Sequence, residues 1–163
     1  MAKFHYKKFI YYFFIIILIF SLDRLTKVYV LNYVDLNSKV DIYLTSYLNL
    51  YLIWNKGVAF GLFSFNKTIL YNTVTALIIL VNLLILFMII KSNDYRKYFL
   101  IVILGGSLGN VFDRVYYSAV PDFIDFHIGN FHWFIFNVAD IFISLGVICL
   151  IFVEIFFNNK SND

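Results

Sequence analysis

Charge is scarce in this chain: only 14% of its 163 residues are Asp, Glu, Lys or Arg, while 62% are hydrophobic. Soluble domains carry about 25% charged residues, so a water-facing surface cannot be built here around an ordinary core. Cysteine is nearly absent as well. The single Cys149 lies in the apolar run Gly-Val-Ile-Cys-Leu-Ile-Phe-Val, which excludes an internal disulfide and reads as a packed thiol without a nearby base. Internal repeats and low-complexity linkers are missing, and no HExxH pair marks a zinc peptidase. No small-x-small site follows the first apolar run, whose next residues are Asp23 and Arg24, so that run reads as an uncleaved helix.

What is present is a set of four apolar stretches, each near the roughly 20 residues needed to cross a bilayer as a helix. The expected fold is an all-α membrane protein with four transmembrane helices at about 9–31, 68–90, 98–115 and 133–157, in one integral membrane domain over 1–163. Between the first two helices, about 32–67 is too polar to span. Within it Tyr47-Leu48-Asn49-Leu50-Tyr51-Leu52 alternates as a strand with one apolar face, and Asn55-Lys56-Gly57 supplies turn chemistry before Val58-Ala59-Phe60. A hairpin or curled sheet is expected there, forming a small extracytoplasmic β platform between helices one and two, with Trp54, Phe60, Phe63 and Phe65 at the membrane surface.

Lys3, Lys7 and Lys8, then Lys91, Arg96 and Lys97, fall in short segments that share one side if four helices cross. Basic residues favour the cytoplasm, so both termini are expected there, although Arg24, Lys27, Lys39, Lys56, Lys67 and Arg114 nearly balance the count opposite. A net charge of +3 is ordinary for such a protein and implies no nucleic-acid partner.

Chemistry concentrates where helices three and four meet. Helix three ends in Gly105-Gly106-Ser107-Leu108-Gly109-Asn110-Val111-Phe112-Asp113-Arg114, and helix four opens near Phe136-Asn137-Val138-Ala139-Asp140. Two antiparallel helices joined by a loop bring both clusters to one depth. Asn110, Asp113 and Arg114 share a helical face, as do Asn137 and Asp140, and charges in lipid must turn inward and pair. Gly105 and Gly109 have the small-xxx-small spacing of close helix packing. The loop adds Asp122 and Asp125 in Val120-Pro121-Asp122-Phe123-Ile124-Asp125-Phe126.

Two neighbouring carboxylates can divide labour over one water, one taking its proton while the other polarises a carbonyl. Asp140, the only charge between Trp133 and Val153, is one member; Asp122 is the preferred other, being able to fold back to the same level, but topology alone does not separate it from Asp125. The bland alternative is a polar network that only pins helices, as in a small polytopic transporter or assembly subunit. Asp122, Asp125, His127, His132 and Asp140 also offer metal ligands, but their spacing matches no metal motif and the histidines read as headgroup-level residues. Ser107 and Ser144 show no histidine partner for nucleophilic catalysis. The DxxDG motif of phosphatidyltransferases is missing, since Asp125 is followed by Phe126, and so is the GxGD signature of other intramembrane aspartyl proteases.

Over nearly its whole length the chain resembles the bacterial lipoprotein signal peptidases, or signal peptidase II. The matching residues are Asp23 and Lys27, Asn55-Lys56-Gly57-Val58-Ala59-Phe60-Gly61, the GGSLGNVFDR run at 105–114, VPDFIDF at 120–126 and FNVAD at 136–140. Val58 stands where alanine is usual and Pro121 where valine is common, and neither change removes a functional group. The resemblance implies an aspartic endopeptidase of the bacterial inner membrane, with Asp122 and Asp140 as the catalytic pair at the outer face. It implies that Asn55, Asn110, Arg114 and Asn137 line the substrate site with Gly57 in its turn, that Asp113 supports the polar network, and that Asp23 and Lys27 are structural. It further implies cleavage before a diacylglyceryl-modified cysteine of prolipoproteins, without metal or cofactor, among phospholipids, with inhibition by globomycin-type cyclic peptides.

Overall fold

The computed structural model describes residues 6–37, 41–57 and 68–157. Along the chain run α1 (Tyr6–Asn37), β1 (Asp41–Thr45), β2 (Leu48–Asn55), α2 (Thr68–Lys91), α3 (Arg96–Tyr117), β3 (Val120–Ile128), β4 (Phe131–Phe136) and α4 (Val138–Phe157). All four helices are long and apolar enough to cross a membrane.

Helix α3 is the central element and touches each of the other three. The sequence explains why: α2 is apolar all round and leaves Leu77, Leu80, Leu83, Leu84, Phe87 and Ile90 exposed, as a lipid-facing helix does, whereas α3 carries the glycines and polar residues. In lipid, burying another leucine between helices gains little, so close backbone approach and polar contacts decide the packing. A Cβ on Gly106 would sit 2.6 Å from the Ala139 carbonyl oxygen of α4, and one on Gly109 would overlap the Asp23 carboxylate of α1. Both glycines therefore permit contacts that hold polar residues in register. At the opposite end of the bundle, Tyr12, Ile89, Leu100, Ile101 and Leu104 form an apolar cluster.

The strands make one antiparallel sheet in the order β1-β2-β3-β4. It rests on α1, where Val30 and Phe123 are buried together with Tyr33, Ile42, Leu50, Leu52 and Ile124 around them. Tyr43, Tyr47, Tyr51, Trp54, Phe126, Phe131 and Trp133 remain exposed on it.

The place of the sheet and two helix boundaries differ from expectation. The strand expected at 47–52 exists, but its partners are β1 and β3; the segment Val58-Ala59-Phe60 expected to follow its turn, like Phe63 and Phe65, lies outside the described residues. The sheet is also not confined between helices one and two, because half of its strands lie between α3 and α4. Accordingly α4 starts at Val138 rather than near Trp133: Phe131–Phe136 is aromatic and β-branched, pairs with β3, and is stopped by the helix cap at Asn137. An apolar aromatic strand next to an apolar helix has no composition step between them. At the other edge, α1 runs on beyond Leu31 to Asn37.

Candidate active site

Ser118 ends α3 in a left-handed conformation, with φ 56°, and after Ala119 the chain enters β3. This abrupt reversal returns Asp122 to the level of the last turns of α3. On the neighbouring strand Asn55 stands opposite Val120 and Ile53 opposite Asp122, so Asn55 is the diagonal neighbour of Asp122 on one sheet face. Its Nδ2 donates to Asp122 Oδ2 at 2.9 Å.

Asn137 is the N-cap of α4. Its Oδ1 accepts from the Asp140 backbone N–H at 3.1 Å while Asp140 Oδ2 accepts from the Asn137 N–H at 3.2 Å, a reciprocal capping box. With Oδ1 committed to the cap, Nδ2 points away and donates to Asp122 Oδ1 at 2.6 Å. One asparagine therefore binds both carboxylates. The three-residue spacing of Asn137 and Asp140 follows from capping, and capping in turn places Asp140 beside Asp122.

Asn110 completes the arrangement from α3 by donating Nδ2 to Asp140 Oδ1 at 2.8 Å, while its Oδ1 accepts from Lys27 Nζ at 2.9 Å. Lys27 can only donate, so it turns the amide oxygen towards itself and the amide nitrogen towards Asp140. Lys27 also donates to Asp23 Oδ2 at 2.8 Å and to Asp113 Oδ2 at 2.6 Å, which uses all three of its protons. Arg24, over the Phe112 ring, pairs with the other oxygen of Asp113, and Asp23 Oδ1 accepts from the Ala139 N–H at 3.0 Å. Two acids and two bases thus balance in a buried α1–α3 clasp. Arg114 does not pair with its neighbour Asp113. It donates Nη2 to the Gly57 carbonyl and lies over the Tyr71 ring, and Gly57 is itself held by donating its N–H to Asn55 Oδ1 at 2.8 Å.

Between α2, α3, α4 and the sheet lies a cavity of about 200 Å³ whose wall includes Asn55, Asn110, Arg114, Asp122, Asn137 and Asp140. Burial pushes the Asp122 carboxyl up to about 7, the negative charge of Asp140 adding to the effect against the donors Asn55 and Asn137. An acid that titrates near neutrality beside a second acid can exchange a proton with water under physiological conditions.

Of the residues singled out in sequence, Asn55, Asn110, Arg114, Asp122, Asn137 and Asp140 meet at the cavity, with Gly57 behind Arg114. Asp23, Lys27 and Asp113 stand behind Asn110 in the clasp and are absent from the cavity wall. Asp125 separates from Asp122 and faces His127 and His132 instead. Sequence reasoning missed Ser107 and Ser144 as wall residues, although each is a helical three or four residues from Asn110 or Asp140. Arg24 and Tyr71 were also overlooked, and only their contacts identify them.

A family model described as signal peptidase (SPase) II matches residues 15–157. The lipoprotein signal peptidase of Pelagibacter ubique (strain HTCC1062) is 52% identical over 163 residues, covering 100% of this chain and 98% of that relative. The lipoprotein signal peptidase of Francisella tularensis subsp. novicida (strain U112) is 40% identical over 157 residues, covering 92% and 94%. A bacterial membrane enzyme solved by the in meso method at 2.3 Å superposes with a TM-score of 0.72 at 26% identity, covering 93% of this chain and 91% of its own. These likenesses set aside the transporter and assembly-subunit readings, and the chain belongs to the signal peptidase II family of multi-pass bacterial membrane peptidases.

Proposed function

We propose that Asp122 and Asp140 are the catalytic pair of an aspartic endopeptidase that cleaves diacylglyceryl-modified prolipoproteins just before the lipidated cysteine. The observation that carries this reading is Asn137, which binds both carboxylates within one cavity. At neutral pH the pair shares one proton, and the two titrations belong to the pair rather than to either residue. The ionised carboxylate takes a proton from water as its oxygen attacks the scissile carbonyl carbon, and the protonated one gives its proton to the carbonyl oxygen. Collapse of the resulting diol breaks the C–N bond. The leaving amine of the cysteine takes a proton and the signal peptide departs with a new carboxyl group.

Asn110 and Asn55 keep the carboxylates from rotating out of this geometry, each through one amide donor. In this reading the sheet lies at the outer face of the inner membrane among phospholipid headgroups, and its exposed Tyr and Trp side chains suit that depth. Lys7, Lys8, Lys91, Arg96 and Lys97 lie towards the far ends of the helices, which supports cytoplasmic termini. The chemistry calls on no metal or cofactor, and globomycin-type cyclic peptides are expected to compete at the cavity.

The test is incubation of purified protein with a diacylglyceryl-modified prolipoprotein, comparing wild type with Asp122→Asn and Asp140→Asn. Each variant should unfold at a temperature close to wild type while cleavage falls at least about 100-fold. Undiminished cleavage by either folded variant would remove it from the pair.

A further inference from the structure

The β3–β4 hairpin carries a second group of ionisable side chains that the proposed hydrolysis leaves unused. Asp125 and His127 are buried, at 4% and 8% exposure, whereas the His132 side chain is 56% exposed. His127 and His132 are cross-strand partners, and their rings stack with centroids 5.1 Å apart. Both direct Nδ1 towards the same carboxylate. His132 Nδ1 lies 2.9 Å from Asp125 Oδ2, and His127 Nδ1 lies 3.8 Å from that oxygen.

The second of these distances is too long for a hydrogen bond, and the buried His127 Nδ1 has no hydrogen-bond partner among the described residues. A simple Asp–His pair accounts for His132 and leaves His127 unexplained. A cation placed among the three accounts for all of them, accepting a lone pair from each imidazole and from the carboxylate. One ligand atom from each residue already falls within 4.8 Å of the others. Around a tetrahedral ion with ligands at about 2.0–2.2 Å, donors stand roughly 3.4 Å apart.

We propose that Asp125, His127 and His132 form a binding site for a divalent transition-metal ion of the Zn²⁺ class, separate from the Asp122–Asp140 cavity. Two imidazole nitrogens and one carboxylate oxygen suit such an ion, whereas Ca²⁺ and Mg²⁺ require oxygen ligands. None of the three ligands lines the cavity. Their ion would act on structure: it ties β3 to β4, the strands that carry Asp122 at one end and run into Asn137 at the other. Exposure of His132 leaves the remaining coordination position to water.

The experiment uses the full chain, purified without a histidine tag and stripped with a chelator, and titrated with Zn²⁺ and with Co²⁺. Wild type should bind one ion per chain, show the visible absorption of tetrahedral Co²⁺, and unfold at a higher temperature with Zn²⁺ than without. His132→Ala, which alters an exposed side chain, should keep the fold and weaken Zn²⁺ binding at least about 100-fold. His127→Gln should do the same if it folds, and His132→Ala decides the matter if it does not. Failure of wild type to bind Zn²⁺, or equal binding by wild type and His132→Ala, overturns the proposal.

Discussion

Asn137 offers the most discriminating perturbation, because one side chain caps α4 and also holds Asp122. Two replacements separate these roles. Asn137→Ala removes the cap, worth about 1 kcal/mol, and also removes the 2.6 Å bond to Asp122. Asn137→Ser restores a cap of nearly equal quality, but its hydroxyl is too short to reach Asp122. A buried hydrogen bond to a charged group contributes about 1.5–3 kcal/mol, so if it acts fully in the transition state both variants slow cleavage about 10- to 150-fold. Both variants should unfold earlier than wild type in a thermal scan because both lose that bond, and the alanine variant earlier still by the worth of the cap.

The pH dependence gives a second reading. Wild-type cleavage should fall as pH rises through about 7, where Asp122 titrates and the pair loses its shared proton. The Asn137 donor favours the ionised form, so losing it holds the proton to higher pH, and the falling limb should move up in both variants. A serine variant with the wild-type rate and an unshifted limb would refute the role given to this bridge.

Two further substitutions probe the support behind the pair. Lys27→Met keeps the stem but strands Asp23 and Asp113 with Arg24 alone; it should cost about 3–5 kcal/mol in unfolding measurements, and a neutral effect would show that the clasp contributes nothing. Gly106→Ala places a methyl group 2.6 Å from a backbone oxygen of α4, which cannot turn aside as a side chain can. Overpacking of this kind costs about 1–3 kcal/mol, and because the contact adjoins Asp140, cleavage should fall further than thermal stability does.

The helices were legible because crossing a bilayer imposes length and apolarity on each segment by itself. Asn110, Asp113 and Arg114, and likewise Asn137 and Asp140, were legible as groups because helical spacing is local. The sheet was half legible: the alternation at 47–52 announced β2, but Phe131–Phe136 merged with the apolar run of α4. Nothing in that hexapeptide distinguishes a strand from the first turns of a helix until β3 lies beside it.

The aspartate pair marks the boundary most clearly. Sequence alone determined that Asp140 is the single charge between Trp133 and Val153 and that the polar ends of α3 and α4 lie at one depth, because antiparallel helices joined by a loop leave no other choice. Helix topology did not determine which loop acid joins Asp140, and only the family resemblance pointed to Asp122. Tertiary structure brings Asp122 to one cavity with Asp140, through the left-handed Ser118 that turns β3 back and the β2–β3 register that sets Asn55 beside Asp122. The same register carried Asp125 away to two histidines. Hydrogen bonds between residues as distant as Asn55 and Asp122 or Lys27 and Asp113 exist only once the chain has closed on itself, and no local pattern encodes them.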